Sequence, residues 1–180
     1  MEIYFSALEF KDAIPINKMR RINGYEELII GPKRFVSLER EKKWVEDLIM
    51  RDYQDRYYVA ICEKETNEFI GYTSVSDIDY RNSKCFWSGI KILQEFAGKG
   101  FGTQAALLIL KYIFEELGIE RCIAMCIESH ISAKKMMEKV GFIIEGLMRH
   151  FVFKNGEYQN VFLLSVLSSD YLKIKEKYQL

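Results

Sequence analysis

Proline is scarce in this sequence: Pro15 and Pro32 are the only two in 180 residues. With no proline-rich linker, no repeat and no low-complexity tract, residues 1–180 read as one domain. Charge of one sign is missing as well. Lys plus Arg and Asp plus Glu both total 26, so the formal net charge is zero. Such a balance gives no bulk electrostatic case for nucleic acid or a membrane surface as partner. No apolar run approaches the roughly 20 residues that cross a bilayer. The start, "MEIYFSALEFKD", carries Glu2, Glu9 and Asp12 and no basic stretch. That is not the pattern of a signal peptide, and the expectation is a cytoplasmic protein. Histidine is limited to His130 and His150, and the four cysteines form no CxxC pair. Zinc is therefore not expected, and Cys62, Cys85, Cys122 and Cys126 read as buried, reduced thiols.

What is present is hydrophobic periodicity on 49% apolar and 14% aromatic content, enough for a substantial core. "IYFSALEF" alternates as a first strand. "FVSLEREKKWVEDLIM" reads as a helix with Ser37 as N-cap and Trp44, Val45, Leu48 and Ile49 on one face. The segment 56–80 reads as two strands around a turn at 64–67, and "CFWSGIKI" as a third. "TQAALLILKYIFEELG" has a 3.6-residue apolar period and a glycine stop at Gly118. A buried strand "RCIAMCI" and a short helix "SAKKMMEKVG" come next. Asn155-Gly156 between two aromatic-rich runs marks a hairpin. The closing "KIKEKYQL" reads as a solvated charge run. The order is α/β with a mixed sheet, not the strict βαβ alternation of a doubly wound fold.

The informative stretch is "QEFAGKGFGTQAALLIL", residues 94–110. Gly98, Gly100 and Gly102 fall between a strand and a helix, with Lys99 among them and Thr103 after them. The first N–H groups of that helix have no intrahelical acceptor, and the helix dipole turns its positive end to the loop. Glycine allows an anion to approach the bare backbone, so this is a phosphate or pyrophosphate cradle. The spacing is neither GxxxxGK[ST] nor GxGxxG, which argues against a P-loop nucleotide and a dinucleotide.

At these residues the chain resembles the GNAT acyltransferase superfamily, whose loop signature is [QR]xxGx[GA]. Gly100 and Gly102 fit the signature, and Ala97 stands where Arg or Gln is usual. "HISAKKMMEKVGF" resembles the family's second block, with His130 in place of an asparagine, Ala133 at a Ser/Ala position, and Gly141-Phe142 closing it. Met137 stands where many members carry a tyrosine that protonates the departing thiolate. The tail, with Arg149, the hairpin and "VFLLSVLSSDY", resembles the subgroup of ribosomal-protein N-terminal, spermidine and amino-sugar acetyltransferases.

The resemblance implies an α/β (α+β) GNAT fold: a twisted, mostly antiparallel sheet of about seven strands, helices on both faces, splayed between strands 4 and 5. It implies acetyl-CoA as donor and a primary amine, on a small molecule or a peptide, as acceptor. The cofactor loop would be Ala97, Gly98, Lys99, Gly100, Phe101, Gly102 and Thr103, with the pantetheine arm along Ile90, Lys91 and Ile92. A backbone N–H there would polarise the thioester carbonyl. Free amines have pKa values of about 8 to 10, so attack needs a proton removed.

The base stays open. The family's fourth-strand glutamate corresponds to Trp87. Glu128 is the first candidate, working directly or through water. His130 is a second, as base, as proton donor to the thiolate, or as a pantetheine contact. Asp77, Trp87 and Tyr158 are candidate acceptor contacts. Asn160, where spermidine-acetylating relatives tend to carry Asp, weighs slightly against a polyamine acceptor. The alternative outside enzymology is an acyl-CoA-binding sensor. The resemblance implies a monomer or a homodimer.

Overall fold

The computed structural model describes residues 1–22, 26–51 and 53–180. Its elements run β1 (Ile3–Ser6), α1 (Ala13–Met19), α2 (Leu38–Met50), β2 (Tyr57–Glu63), β3 (Phe69–Asp79), β4 (Lys84–Ile92), α3 (Phe101–Lys111), β5 (Arg121–Ile127), α4 (Ile131–Lys139), β6 (Ile143–Lys154), β7 (Glu157–Leu167) and α5 (Ser168–Tyr178). The seven strands form one sheet in the order β1-β2-β3-β4-β5-β7-β6. Every neighbouring pair is antiparallel except β4–β5. This is the mixed, mostly antiparallel architecture expected from the sequence.

Strand alternation distributes the core to two faces. Ala60 and Cys62 of β2 join Ala13, Ile16 and Met19 of α1 and Val45 of α2. The intervening Ile61 packs with Phe101 and Ala105 of α3. Helices therefore cover both faces. The larger core joins β3, β4, β5 and β7 to α3, α4 and α5 through Trp87, Leu110, Ala124, Met137 and Tyr171. Full burial of one large apolar side chain contributes roughly 1.5–3 kcal/mol, so α3, with Ala105, Ala106, Ile109 and Leu110 all at most 1% exposed, is firmly anchored.

Local signals explain the element ends. Ser37 Oγ accepts from the Arg40 N–H at 3.3 Å and opens α2. The apolar helix after the glycine loop is α-helical to Lys111 and then widens into a π-helical turn over Tyr112–Glu116. Gly118, at φ 62°, stops it. The end of the chain differs from the sequence expectation. "KIKEKYQL" is not a solvated tail: it lies largely within α5, where Tyr171 and Ile174 are buried against the core and the lysines face water. Gly141, at φ 94°, is what lets α5 sit down. A Cβ there would lie 2.0 Å from Ile174 Cδ1. All four cysteines are buried and unbridged. Among the described residues no helix is long and apolar enough to cross a membrane.

Candidate active site

The parallel pair β4–β5 holds together only from Lys84↔Arg121 to Trp87↔Ala124. Beyond Trp87 the two strands part. The separation has a local cause on β4. Between Thr73↔Ile90 and Val75↔Trp87, β4 spends one residue more than β3, which is a β-bulge, and Gly89 takes the positive φ of 76° that the bulge requires. The bulge is pinned from inside. The fully buried Thr73 hydroxyl donates to the Gly89 carbonyl at 2.8 Å and accepts from the Trp87 indole N–H at 2.9 Å. Close packing of β3 on β4 needs a second glycine. A Cβ on Gly71 would stand 2.2 Å from the Lys91 carbonyl oxygen.

The parted strands enclose a cleft of about 470 Å³. Trp87, Ile90, Lys91 and Ile92 form its β4 wall, Met125 and Cys126 its β5 wall, and His130, Met136 and Met137 its α4 side. Leu28, Ile29 and Ile30 close it from the loop before α2. Among the described residues, the edge of β4 from Ser88 to Ile92 that faces β5 has no strand partner, and an extended ligand can pair with such an edge.

From Ile92 the chain passes through one 3-10 turn, Gln94–Phe96, into the glycine loop. Gly98 and Gly100 take φ of 77° and 86°, and Gly100 is the residue before the first turn of α3. Apart from the adjoining backbone, no atom of the described residues lies within 4 Å of a Cβ built on Gly98, Gly100 or Gly102. The loop is therefore an open cradle over the positive end of a helix, and it suits a pyrophosphate in chemistry and in room. Thr103 N–H closes back on the Gly100 carbonyl at 3.1 Å. Phe101 turns its ring into the core, 5% exposed, so it offers the cradle its main chain alone. Lys99 Nζ stands 4.8 Å from the centre of the Phe96 ring, which parks a cation at the loop.

The other sequence candidates separate. His130 is half-buried in the cleft wall, and burial pushes its imidazole pKa down, so the neutral ring is favoured. Glu128 is exposed at the end of β5. Its Oε2 accepts from Asn160 Nδ2 at 2.8 Å, and its N–H donates to the Asn160 carbonyl. Trp87 is 1% exposed, stacked on Phe142 at 5.4 Å, and committed to Thr73. Asp77 is exposed at φ 51° and accepts from Ser76. Tyr158 is 63% exposed, stacked on His150 near the hairpin tip. Neither Asp77 nor Tyr158 is among the described residues that line the cleft.

Sequence reading missed a second chamber beside the first. A cavity of about 310 Å³ lies between α1, α2, β3, β4 and the loop at 29–36, and shares Ile29, Ile30 and Lys91 with the cleft. At its floor Arg20 donates to the buried Glu41 at 2.6 and 3.1 Å and to Glu26 at 2.9 Å. Lys91 Nζ donates to the Ser88 carbonyl at 3.0 Å. Burial, with Arg20 nearby, pushes its pKa down to about 8. The isolated Gly89 in an apolar strand was the one available signal for the bulge. Nothing in the sequence marked the chamber, because its walls come from distant segments.

The whole arrangement has known counterparts. Residues 4–143 match the family model for an acetyltransferase (GNAT) domain. The chain belongs to the GNAT acetyltransferase family. It carries the enzyme class expected from the sequence, an N-acetyltransferase domain that takes its acetyl group from acetyl-CoA. The spermidine N(1)-acetyltransferase of Escherichia coli (strain K12) is 28% identical over 126 residues, 70% of this chain and 66% of that protein. The probable N-acetyltransferase YjcK of Bacillus subtilis (strain 168) is 25% identical over 172 residues, 93% of this chain and 95% of that protein. Among solved structures, the spermidine N-acetyltransferase from Vibrio cholerae in complex with CoA and spermine has the same fold. It superposes with a TM-score of 0.86 at 22% identity, covering 95% of this chain and 98% of that one.

Proposed function

We propose that this chain, acting as one domain in the cytoplasm as a monomer or homodimer, moves the acetyl group of acetyl-CoA to a small primary amine by direct attack in a ternary complex. The observation that carries the reading is the parting of β4 from β5 directly after Trp87 and Ala124, which opens an unpaired strand edge leading to the glycine cradle.

Each part of the chain then has a task. Main-chain amides at residues 98–102 hold the pyrophosphate, with the Thr103 hydroxyl and Lys99 beside them. The free edge at Ile90–Ile92 pairs with the pantetheine arm and orients the thioester. A β4 backbone N–H held by the bulge stabilises the tetrahedral oxyanion. His130, neutral and facing the cleft, takes the proton that the acceptor ammonium must lose, and later returns one to the thiolate. This places on His130 the duty that a tyrosine at position 137 would carry. Glu128 acts at longer range, through water and the Asn160 amide. A polyamine acceptor is the second reading, favoured by the two spermidine N-acetyltransferases to which the chain is similar.

The test is release of free thiol from acetyl-CoA across a panel of amines, with acetylated products identified by mass spectrometry. Amine-dependent release is the expected result. Tight acetyl-CoA binding with no release from any amine would make the protein a sensor.

A further inference from the structure

The acceptor side of the cleft carries the wrong charge for a polycation. The chamber beside the cleft runs outward into a second hollow of about 450 Å³, and the two share Arg20, Glu26, Arg34 and Val36. Between them they are lined by the cations Arg20, Arg21, Lys33, Arg34, Arg40 and Lys91 and by the carboxylates of Glu26, Glu27 and Glu41. Two of those three carboxylates are already spent on Arg20. Arg21 is turned to the Asn17 side-chain carbonyl at 3.1 Å. Among the described residues, no carboxylate meets the side chain of Lys33, Arg34, Arg40 or Lys91 within ion-pair distance. Lys91 stands at the junction of the chamber and the cleft, so an acceptor that reaches the thioester through the chamber passes its ammonium.

A second ammonium on the acceptor would lie in this chamber against like charge, which is unfavourable even where the walls stay partly open to water. An anion there would supply the partner that these cations lack. We infer that the acceptor is a primary amine that also carries an anionic group, a carboxylate or a phosphate, held in the chamber by Arg34, Arg40 and Lys91 while the amine reaches the cleft. The inference rests on the proposed acetyl transfer and narrows its acceptor class away from polyamines.

Matched pairs test it. Thiol release is followed with glycylglycine against glycylglycinamide, with phosphoethanolamine against ethanolamine, and with spermidine. The anionic member of at least one pair is expected to show a kcat/KM about tenfold higher, the worth of one or two partly exposed ion pairs. Which pair shows it separates carboxylate from phosphate. Raising the ionic strength should erode that ratio through KM. The Arg34→Gln/Arg40→Gln variant should bring it close to one, and both side chains are exposed, so the fold should tolerate the change. Equal rates within both pairs, or spermidine as the best acceptor, would overturn the inference. If no amine releases thiol, the transfer reading fails by itself. Calorimetric titration of glycylglycine and phosphoethanolamine into CoA-loaded protein then decides the charge question. Binding that weakens in the double variant upholds the anion site, and no binding, or binding equal to that of the neutral partners, refutes it.

Discussion

The Thr73 hydroxyl ties the buried Trp87 indole to the carbonyl of Gly89, so one side chain on β3 fixes the bulge at which β4 leaves β5. Thr73→Val keeps the shape of the side chain and leaves the indole N–H unsatisfied inside the core. A buried donor stripped of its partner costs about 1–3 kcal/mol. The expected result is a lower Tm together with weaker acetyl-CoA binding, since the bulge and the cleft edge relax together. A lower Tm with unchanged affinity would show that the hydroxyl serves packing alone.

Gly100→Val is the direct test of the cradle. Valine at φ 86° is strained by about 1–2 kcal/mol, and its side chain projects into the space left for the pyrophosphate. The loop is exposed, so the fold should persist while acetyl-CoA affinity falls by at least about tenfold in a calorimetric titration. Affinity equal to that of the parent protein would place the pyrophosphate elsewhere.

Glu41 anchors the wall of the acceptor chamber. It is 1% exposed, and its carboxylate accepts twice from Arg20 and once from Asn17. Among the described residues, Glu41→Gln leaves Arg20 with Glu26 as its only carboxylate partner. Breaking a buried pair costs about 3–5 kcal/mol. Arg20 keeps 23% of its side-chain surface in water, which sets the expectation at the low end, near about 3 kcal/mol by urea unfolding. High salt should change this loss little, because the pair is shielded from mobile ions.

Gly141 and Ile174 should show strong coupling. Gly141→Ala drives a methyl into Ile174 Cδ1 and strains a φ of 94°. Ile174→Ala opens a cavity, at about 2–5 kcal/mol. In the double variant the methyl enters space that the isoleucine vacated, so the loss should fall well short of the sum of the two singles. Additive losses in thermal unfolding would mean that α5 does not rest on this turn.

Much of this was legible in the chain. The strand order, the helices α2, α3 and α4, the hairpin at Asn155-Gly156 and the glycine loop all rest on local signals, namely period, cap and turn residues within a short window; α1 did not show. Ser37 and Gly118 end their helices as their types predict. What escaped is what local windows cannot hold. The α5 helix hides because Lys173, Lys175 and Lys177 dominate its composition while Tyr171 and Ile174 do the packing. Trp87 gave no sign that its N–H belongs to Thr73, fourteen residues earlier on the neighbouring strand. The acceptor chamber draws on α1, α2, β3, β4 and the loop at 29–36, and its charge emerges only when Arg20 is seen to absorb Glu26 and Glu41.

His130 sets the pH behaviour. Burial lowers its folded pKa below the ordinary value of about 6.5, so the folded protein binds less proton there than the unfolded chain does. Stability contributed by this residue therefore falls as pH drops from the ordinary histidine value through the depressed folded one, and is constant above that window. On the proposed assignment of His130 as base, the same protonation removes the base. The acid limb of kcat/KM should then lie below the pH of a free histidine, and it should disappear in His130→Gln along with most of the rate. Glu128→Gln distinguishes the two candidates. With Glu128 acting at a distance, its loss should lower kcat moderately and leave the acid limb in place. If the limb survives in His130→Gln and vanishes in Glu128→Gln, the carboxylate is the base, and the imidazole serves only to contact the donor.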